Sequence, residues 1–107
     1  MHEETVDQLA AAMAEGAYVL DVREPLEFAQ ARVPGAVLLP LSQLHAHLGQ
    51  LPRDRRIHVI CATGNRSLTA TTWLLQAGLD AVSVAGGTAG WLRSGRPIRS
   101  GREEDVA

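Results

Sequence analysis

The chain has 107 residues, the usual size of one domain, with 46% hydrophobic and 21% charged residues; these proportions argue against a disordered or fibrous chain. No apolar run approaches the ~20 residues that a transmembrane helix needs. Ten basic and twelve acidic residues give a net charge of −2, a balance that offers nucleic acid no basic surface.

In chain order, Thr5 and Gln8 have the spacing of a capping box, and Val6, Leu9, Ala10 and Met13 recur at helical intervals. A helix over Val6 to Ala14 is predicted, ending near Gly16. Tyr18 to Val22 is a short apolar strand, and Pro25 opens a short helix through Gln30. Pro34-Gly35 is a turn, and Ala36 to Leu39 is a second strand stopped by Pro40. Ser42 is placed to cap a helix running to Leu48, with Gly49 closing it. Ile57 to Cys61 is a third strand, Arg66 to Gln76 a helix, Ala81 to Val84 a fourth strand, and Ala89 to Arg93 a last short helix after Gly86-Gly87. Strands alternating with helices predict an α/β domain with a mostly parallel sheet covered on both faces. Ligands of such sheets bind beyond the carboxyl ends of the strands. Residues 1–99 are read as the domain and 100–107, rich in glycine and charge, as a flexible tail.

Chemistry concentrates at the end of the third strand. Cys61 is the only cysteine, so an internal disulfide, a Cys-x-x-Cys pair and a cysteine-rich zinc site are all excluded. No lysine is present, which excludes a Schiff base. Cys61 opens the run Cys61-Ala62-Thr63-Gly64-Asn65-Arg66-Ser67, which leads into a helix. The thiolate is the nucleophilic form of cysteine. Small residues such as Ala62 and Gly64 let a loop curl its backbone N–H groups around the sulfur. The helix N-terminus adds unpaired donors, and Arg66 adds a full positive charge. Together these features favour the thiolate over a thiol of pKa about 8.5. A cysteine at a strand end is ordinarily a small buried hydrophobe; the convergence of strand end, Gly64, Arg66 and helix start favours catalysis here.

Four segments make the sequence resemble a single-domain rhodanese, a sulfurtransferase. They are Asp21-Val22-Arg23-Glu24 with Glu27-Phe28; Arg32-Val33-Pro34-Gly35-Ala36, where the family usually has His-Ile-Pro-Gly-Ala; the run Cys61 to Ser67; and Gly86-Gly87-Thr88-Ala89-Gly90-Trp91, followed by Gly95 and Pro97. The resemblance spans roughly Thr5 to Pro97. It implies a three-layer fold, a central mostly parallel sheet of about five short strands flanked by helices. It also implies sulfur transfer through a persulfide on Cys61. Arg66 would assist catalysis, and Ala62, Thr63, Gly64, Asn65, Arg66 and Ser67 would bind the substrate. The implied partners are a small anionic sulfur donor such as thiosulfate, or a persulfide, and a thiol acceptor such as glutathione, thioredoxin or a sulfur-carrier protein. Neither nucleic acid nor membrane is expected, and no cofactor or metal.

Competing readings stay open. Cysteine-dependent phosphatases and arsenate reductases on this fold use a longer loop; only four residues separate Cys61 from Arg66, a tighter ring that suits a single sulfur. Some members of the family bind or regulate without turnover, but these have usually lost the cysteine. A carrier of persulfide sulfur for biosynthesis is not separable from detoxification. Three departures from the family pattern stand out. Arg32 replaces a histidine, the early loop lacks a cation at Ala62 and Thr63, and the first strand must fit within Met1 to Glu4. The missing cation predicts weak use of thiosulfate and better use of a less charged persulfide.

Other candidates read as structural. Asp21, Arg23 and Glu27 have the residue types of an acid–base group, but Arg23 is expected to pair with a carboxylate and fix the loop after the Tyr18 to Val22 strand. His45 and His47 are two apart and face differently, without the spacing of a helical metal pair. His58 is expected to be satisfied within the sheet, Trp73 and Trp91 to pack, and Arg53, Arg55 and Arg56 to form a solvated link. The polar start Met1-His2-Glu3-Glu4 shows no export signal, so a cytoplasmic location is expected, where thiols stay reduced.

Overall fold

The computed structural model describes residues 2–101. Five parallel strands form one sheet in the order β1-β5-β4-β2-β3. The elements run β1 (Glu3–Glu4), α1 (Val6–Ala14), β2 (Tyr18–Asp21), α2 (Pro25–Gln30), β3 (Val37–Leu38), two 3-10 segments (Leu41–Gln43 and His45–Gln50), β4 (Ile57–Ile60), α3 (Asn65–Gln76), β5 (Ala81–Val84) and α4 (Gly87–Arg93). This is the layered α/β architecture expected, with the first strand reduced to two residues. Among the described residues no helix is long and apolar enough to cross a membrane.

Local chemistry explains the elements. The Thr5 hydroxyl accepts the Gln8 N–H at 3.1 Å, and the Gln8 amide oxygen accepts the Thr5 N–H at 2.8 Å. Two otherwise unpaired N–H groups at the start of α1 are thereby satisfied. Pro25 sits at the first helical position of α2, where a missing N–H costs nothing. The inner strands β2, β4 and β5 are buried on both faces, so their apolar residues divide by alternation. Leu20, Ile57, Val59, Cys61 and Ala81 pack with Ala70 and Leu74 of α3. Val19, Ile60 and Val84 pack on the other face with Leu9, Phe28 and Trp91. Trp91 seats α4 there as expected, and its Nε1–H donates to the Pro97 carbonyl at 2.8 Å.

The sequence-based expectation fails between Leu41 and Gln50. Ser42 does not cap an α-helix; it is exposed inside a 3-10 segment, and Gly49 lies inside the second one. The tether explains the change. Leu41 N–H is held by the Val22 carbonyl at 3.0 Å, and Leu44 must be fully buried. Tighter turns bring both requirements within a short span: the N–H groups of Leu44, His47 and Leu51 donate to carbonyls three residues back.

At the C-terminal side, Arg99 forms an antiparallel bridge with Arg32, and Gly101 N–H donates to the Ala29 carbonyl at 2.7 Å. Residues 102–107, most of the expected tail, lie outside the described residues.

Chain order turns around between β2 and β4. From β2 the chain leaves by α2 toward β3 at one edge; from β4 it leaves by α3 toward β5 on the other side. The carboxyl ends of β2 and β4 therefore diverge, and a crevice opens between α2 and α3.

Candidate active site

Cys61 follows the last residue of β4, the central strand, and is only 1% exposed. The chain turns at once. Gly64 adopts φ +111° and precedes the first turn of α3, a conformation that favours glycine. The turn folds the backbone around the sulfur. Gly64 N–H donates to Cys61 Sγ at 3.1 Å and Ser67 N–H donates at 3.3 Å. The Ser67 hydroxyl lies 3.4 Å from the sulfur. Burial pushes the thiol up, but hydrogen bonds from the Ser67 hydroxyl and the N–H groups of Ser67, Gly64 and Thr63 outweigh it and hold Cys61 below its ordinary pKa.

The helix α4 supports the loop from behind. Gly87 has φ +58°, and a Cβ there would meet the Cys61 carbonyl oxygen at 2.3 Å. This close approach lets Thr88 N–H donate to the Cys61 carbonyl at 2.8 Å and Ala89 N–H to the Ala62 carbonyl at 3.0 Å. Two free N–H groups of α4 are thus spent on the Cys61 loop. Gly87, not Gly86, serves this close approach of backbone to backbone.

Arg66 has a different partner from the one its position implies. It is expected beside Cys61, but its guanidinium makes two hydrogen bonds to the Glu27 carboxylate, at 2.7 and 2.8 Å. The sulfur is held by backbone and hydroxyl groups instead, and the Glu27 hydrogen bond holds Arg66 protonated against the cost of burial. The Arg66 hydrogen bond in turn lowers Glu27 to about 2 against the cost of burial. The pair bridges α2 to α3 across the crevice.

The remaining predicted residues divide. Gly64 and Ser67 meet the sulfur directly. Ala62 and Thr63 line an adjoining cavity of about 230 Å³ with Arg23, Glu27, Gln30, Ala31, Thr88, Ala89 and Leu92. Asn65 is exposed on the first turn of α3. Asp21, Arg23 and Glu27 do not form one acid–base group. Buried Asp21 takes two parallel hydrogen bonds from Arg23, at 3.0 Å from Nε and 2.8 Å from Nη2, and Arg23 also donates to the Ala31 carbonyl at 2.7 Å. Arg23 is structural, as expected; Glu27 is turned away from that pair to Arg66.

The other histidines and arginines lie elsewhere. His58 is buried with its Nδ1 2.6 Å from Glu4 Oε2. His45 stacks on Trp73 with ring centroids 4.3 Å apart, and His47 Nδ1 meets the Gln50 side chain at 3.0 Å. Arg55 donates to the Gly16 carbonyl, and Arg56 pairs with Asp80 at 3.2 Å. Arg32 is buried, stacked on Phe28 and donating to the Phe28 and Gly101 carbonyls, a fixed structural post where the family has histidine.

Sequence reasoning missed Ser83. It lies in β5, fully buried, with its hydroxyl 2.7 Å from that of Ser67. Its one available signal was a hydroxyl in an otherwise apolar strand. The Glu27–Arg66 pair carried none, because the two residues lie far apart in the chain and meet only where β2 and β4 diverge.

Comparison with known proteins places the chain in a family. The rhodanese-like domain family matches residues 5–94. A sulfurtransferase of Allochromatium vinosum is 35% identical, over 81% of this chain and 82% of that protein. A chloroplastic thiosulfate sulfurtransferase of Arabidopsis thaliana is 36% identical, over 76% of this chain and 78% of its own. The crystal structure of a rhodanese-related protein from Thermoplasma volcanium superposes with a TM-score of 0.88 at 35% identity, over 92% of this chain and 98% of that one. By fold and by sequence, the chain belongs to the rhodanese-like family.

Proposed function

We propose that this chain is a sulfurtransferase that moves a sulfane sulfur from a small donor to a thiol or cyanide through a persulfide on Cys61. One observation carries the reading: the Cys61 sulfur accepts N–H groups from Gly64 and Ser67 in a loop closed by Arg66. That cradle stabilises a sulfur anion, which is both the attacking group and the charge borne by a persulfide. In the first half-reaction the Cys61 thiolate attacks the outer sulfur of thiosulfate. A new S–S bond forms at Cys61, the donor S–S bond breaks, and its electron pair leaves with sulfite. In the second, cyanide or a thiolate attacks the outer sulfur and takes it as thiocyanate or a new persulfide, and the Cys61 thiolate is released. Splitting one transfer into two covalent steps predicts ping-pong kinetics.

The cavity beside the loop argues for the class of donor. Ala31, Ala62, Ala89 and Leu92 give it apolar walls. The two charged residues on its rim are already matched, Arg23 by Asp21 and Glu27 by Arg66. A donor with a bulky, weakly charged body, such as an organic persulfide, suits such a wall better than thiosulfate does. The acceptor is a small thiol or a protein thiol, and a reducing, cytoplasm-like compartment keeps Cys61 available. Initial-rate kinetics test the reading. Parallel double-reciprocal lines and a higher kcat/KM for glutathione persulfide than for thiosulfate are expected. Intersecting lines overturn the two-step transfer, and a higher kcat/KM for thiosulfate overturns the donor assignment.

A further inference from the structure

We propose that Ser83 of β5 is a positioning residue for the nucleophile, its hydroxyl orienting that of Ser67 to donate to the Cys61 sulfur. The inference rests on Cys61 being the nucleophile and goes beyond the loop that the sequence motif contains.

Three buried groups form a chain. Ser83 Oγ lies 2.7 Å from Ser67 Oγ, and Ser67 Oγ lies 3.4 Å from Cys61 Sγ. Each residue is 0–1% exposed. A hydroxyl carries one proton. If Ser67 gives its proton to a thiolate, the short contact with Ser83 holds only if Ser83 is the donor. If Ser67 instead gives its proton to Ser83, the sulfur loses that bond. The direction of one hydrogen bond therefore decides the other. When Cys61 is a thiol the order reverses, with S–H donating to Ser67 and Ser67 to Ser83.

The surroundings make Ser83 suited to this. Its backbone is fixed in the sheet, in register with Val59 on one side and Glu3 on the other, with its N–H held by the His2 carbonyl at 2.8 Å. Alternation along β5 puts Ser83 on the face of Ala81, beneath α3. The neighbours there are apolar, and a buried hydroxyl is costly unless it is hydrogen-bonded. An alanine or valine would serve packing alone.

The charged groups near the loop do not explain the contact. Arg66 of α3 is closed on Glu27 of α2, and Glu27 is ionised above about 2. Arg23 and Asp21, at the end of β2, are closed on each other, and His58 of β4 is held by Glu4 of β1. None of these side chains is a hydrogen-bond partner of Ser67 or Ser83 among the described residues.

The test titrates Cys61 in the full chain by ultraviolet thiolate absorbance, in the parent, Ser83→Ala, Ser67→Ala and the double variant, with folding followed by circular dichroism. Loss of an oriented hydrogen bond to an anion should reduce the thiolate fraction on the acid flank by roughly three- to tenfold in Ser83→Ala. Sulfur loading should slow in the same pH range and recover at alkaline pH. In the Ser67→Ala background, Ser83→Ala should add no further shift. An unchanged titration in Ser83→Ala, or an equal shift in both backgrounds, overturns the proposal. If Ser83→Ala does not fold, Ser83→Thr and Ser83→Val fill similar volumes and differ in the hydroxyl: the threonine should titrate below the valine, and equal titration overturns the proposal. Titration needs no sulfur donor, so it is read even if the parent loads no sulfur. A parent that loads sulfur beside an unshifted Ser83→Ala refutes the relay alone.

Discussion

Gly86 and Gly87 are adjacent, both have positive φ, at +83° and +58°, and their replacement by alanine should have very different consequences. At Gly86 a Cβ meets nothing nearer than Gly90 Cα at 3.8 Å, so Gly86→Ala costs only the left-handed conformation, about 1–2 kcal/mol. At Gly87 the same atom falls 2.3 Å from the Cys61 carbonyl oxygen and 2.7 Å from that of Ala62. Both obstacles are backbone, so relief requires α4 and the Cys61 loop to separate. Separation forfeits the hydrogen bonds from Thr88 and Ala89 N–H to those carbonyls, each about 1 kcal/mol, besides overpacking of about 1–3 kcal/mol. With the left-handed conformation that Gly87 shares with Gly86 added, Gly87→Ala should lose about 4–7 kcal/mol in urea unfolding. Because the loop holds the sulfur, sulfur loading should fall by about 100-fold or more, the usual cost of a displacement near 1 Å. Equal destabilisation by the two substitutions, or a Gly87→Ala protein that loads sulfur at the parent rate, refutes the account of how α4 supports the loop.

Three further outcomes are expected. Glu27→Gln removes an ion pair whose carboxyl is lowered from 4.5 to about 2. In full that drop equals about 3 kcal/mol, but the side chains are 34–36% exposed and screening reduces it to about 1 kcal/mol. A depressed carboxyl stabilises above its unfolded value and loses that contribution as pH falls through its folded one. The parent should therefore exceed Glu27→Gln in stability above pH 4.5, and the difference should vanish toward pH 2; a difference independent of pH contradicts this. Asp21→Ala strands the buried Arg23 guanidinium and should cost about 3–5 kcal/mol in the same unfolding assay; a loss below 1 kcal/mol would show that Arg23 finds another partner. The Thr71 hydroxyl is buried without a hydrogen-bond partner, so Thr71→Val should be neutral or stabilising by up to about 1 kcal/mol in Tm and urea measurements, and a clear loss would reveal a partner for it.

Local rules made most of the fold legible. Apolar runs and caps located β2 to β5 and every α-helix, because each reports its own backbone: Thr5 with Gln8, Pro25, and the left-handed glycines Gly16 and Gly78; the acidic two-residue β1 was expected only from the family resemblance. Val22 and Cys61, expected inside strands, lie just past their ends, where extended backbone continues without a full ladder. The segment Leu41–Gln50 misled because a tether from Leu41 to Val22, distant in sequence, tightened its turns. At the site, Cys61, Gly64 and Ser67 were readable because one loop holds them all. The partners that arrive from other elements were not. Glu27 comes to Arg66 from α2, Ser83 comes to Ser67 from β5, and the α4 N–H groups come to the Cys61 and Ala62 carbonyls. Arg66 illustrates the limit, since a charge five residues from a sulfur implies a pair, yet the nearer carboxylate claims it.

The central claim is that Cys61 carries sulfur between two reactions. Intact mass after incubation with thiosulfate or with glutathione persulfide, followed by cyanide, tests it most directly, with Cys61→Ser as the control. A gain of one sulfur atom on the parent alone, lost on adding cyanide as thiocyanate appears, is the predicted result. No gain with either donor, or the same gain on Cys61→Ser, contradicts the account and leaves a binding module built on a sulfurtransferase fold.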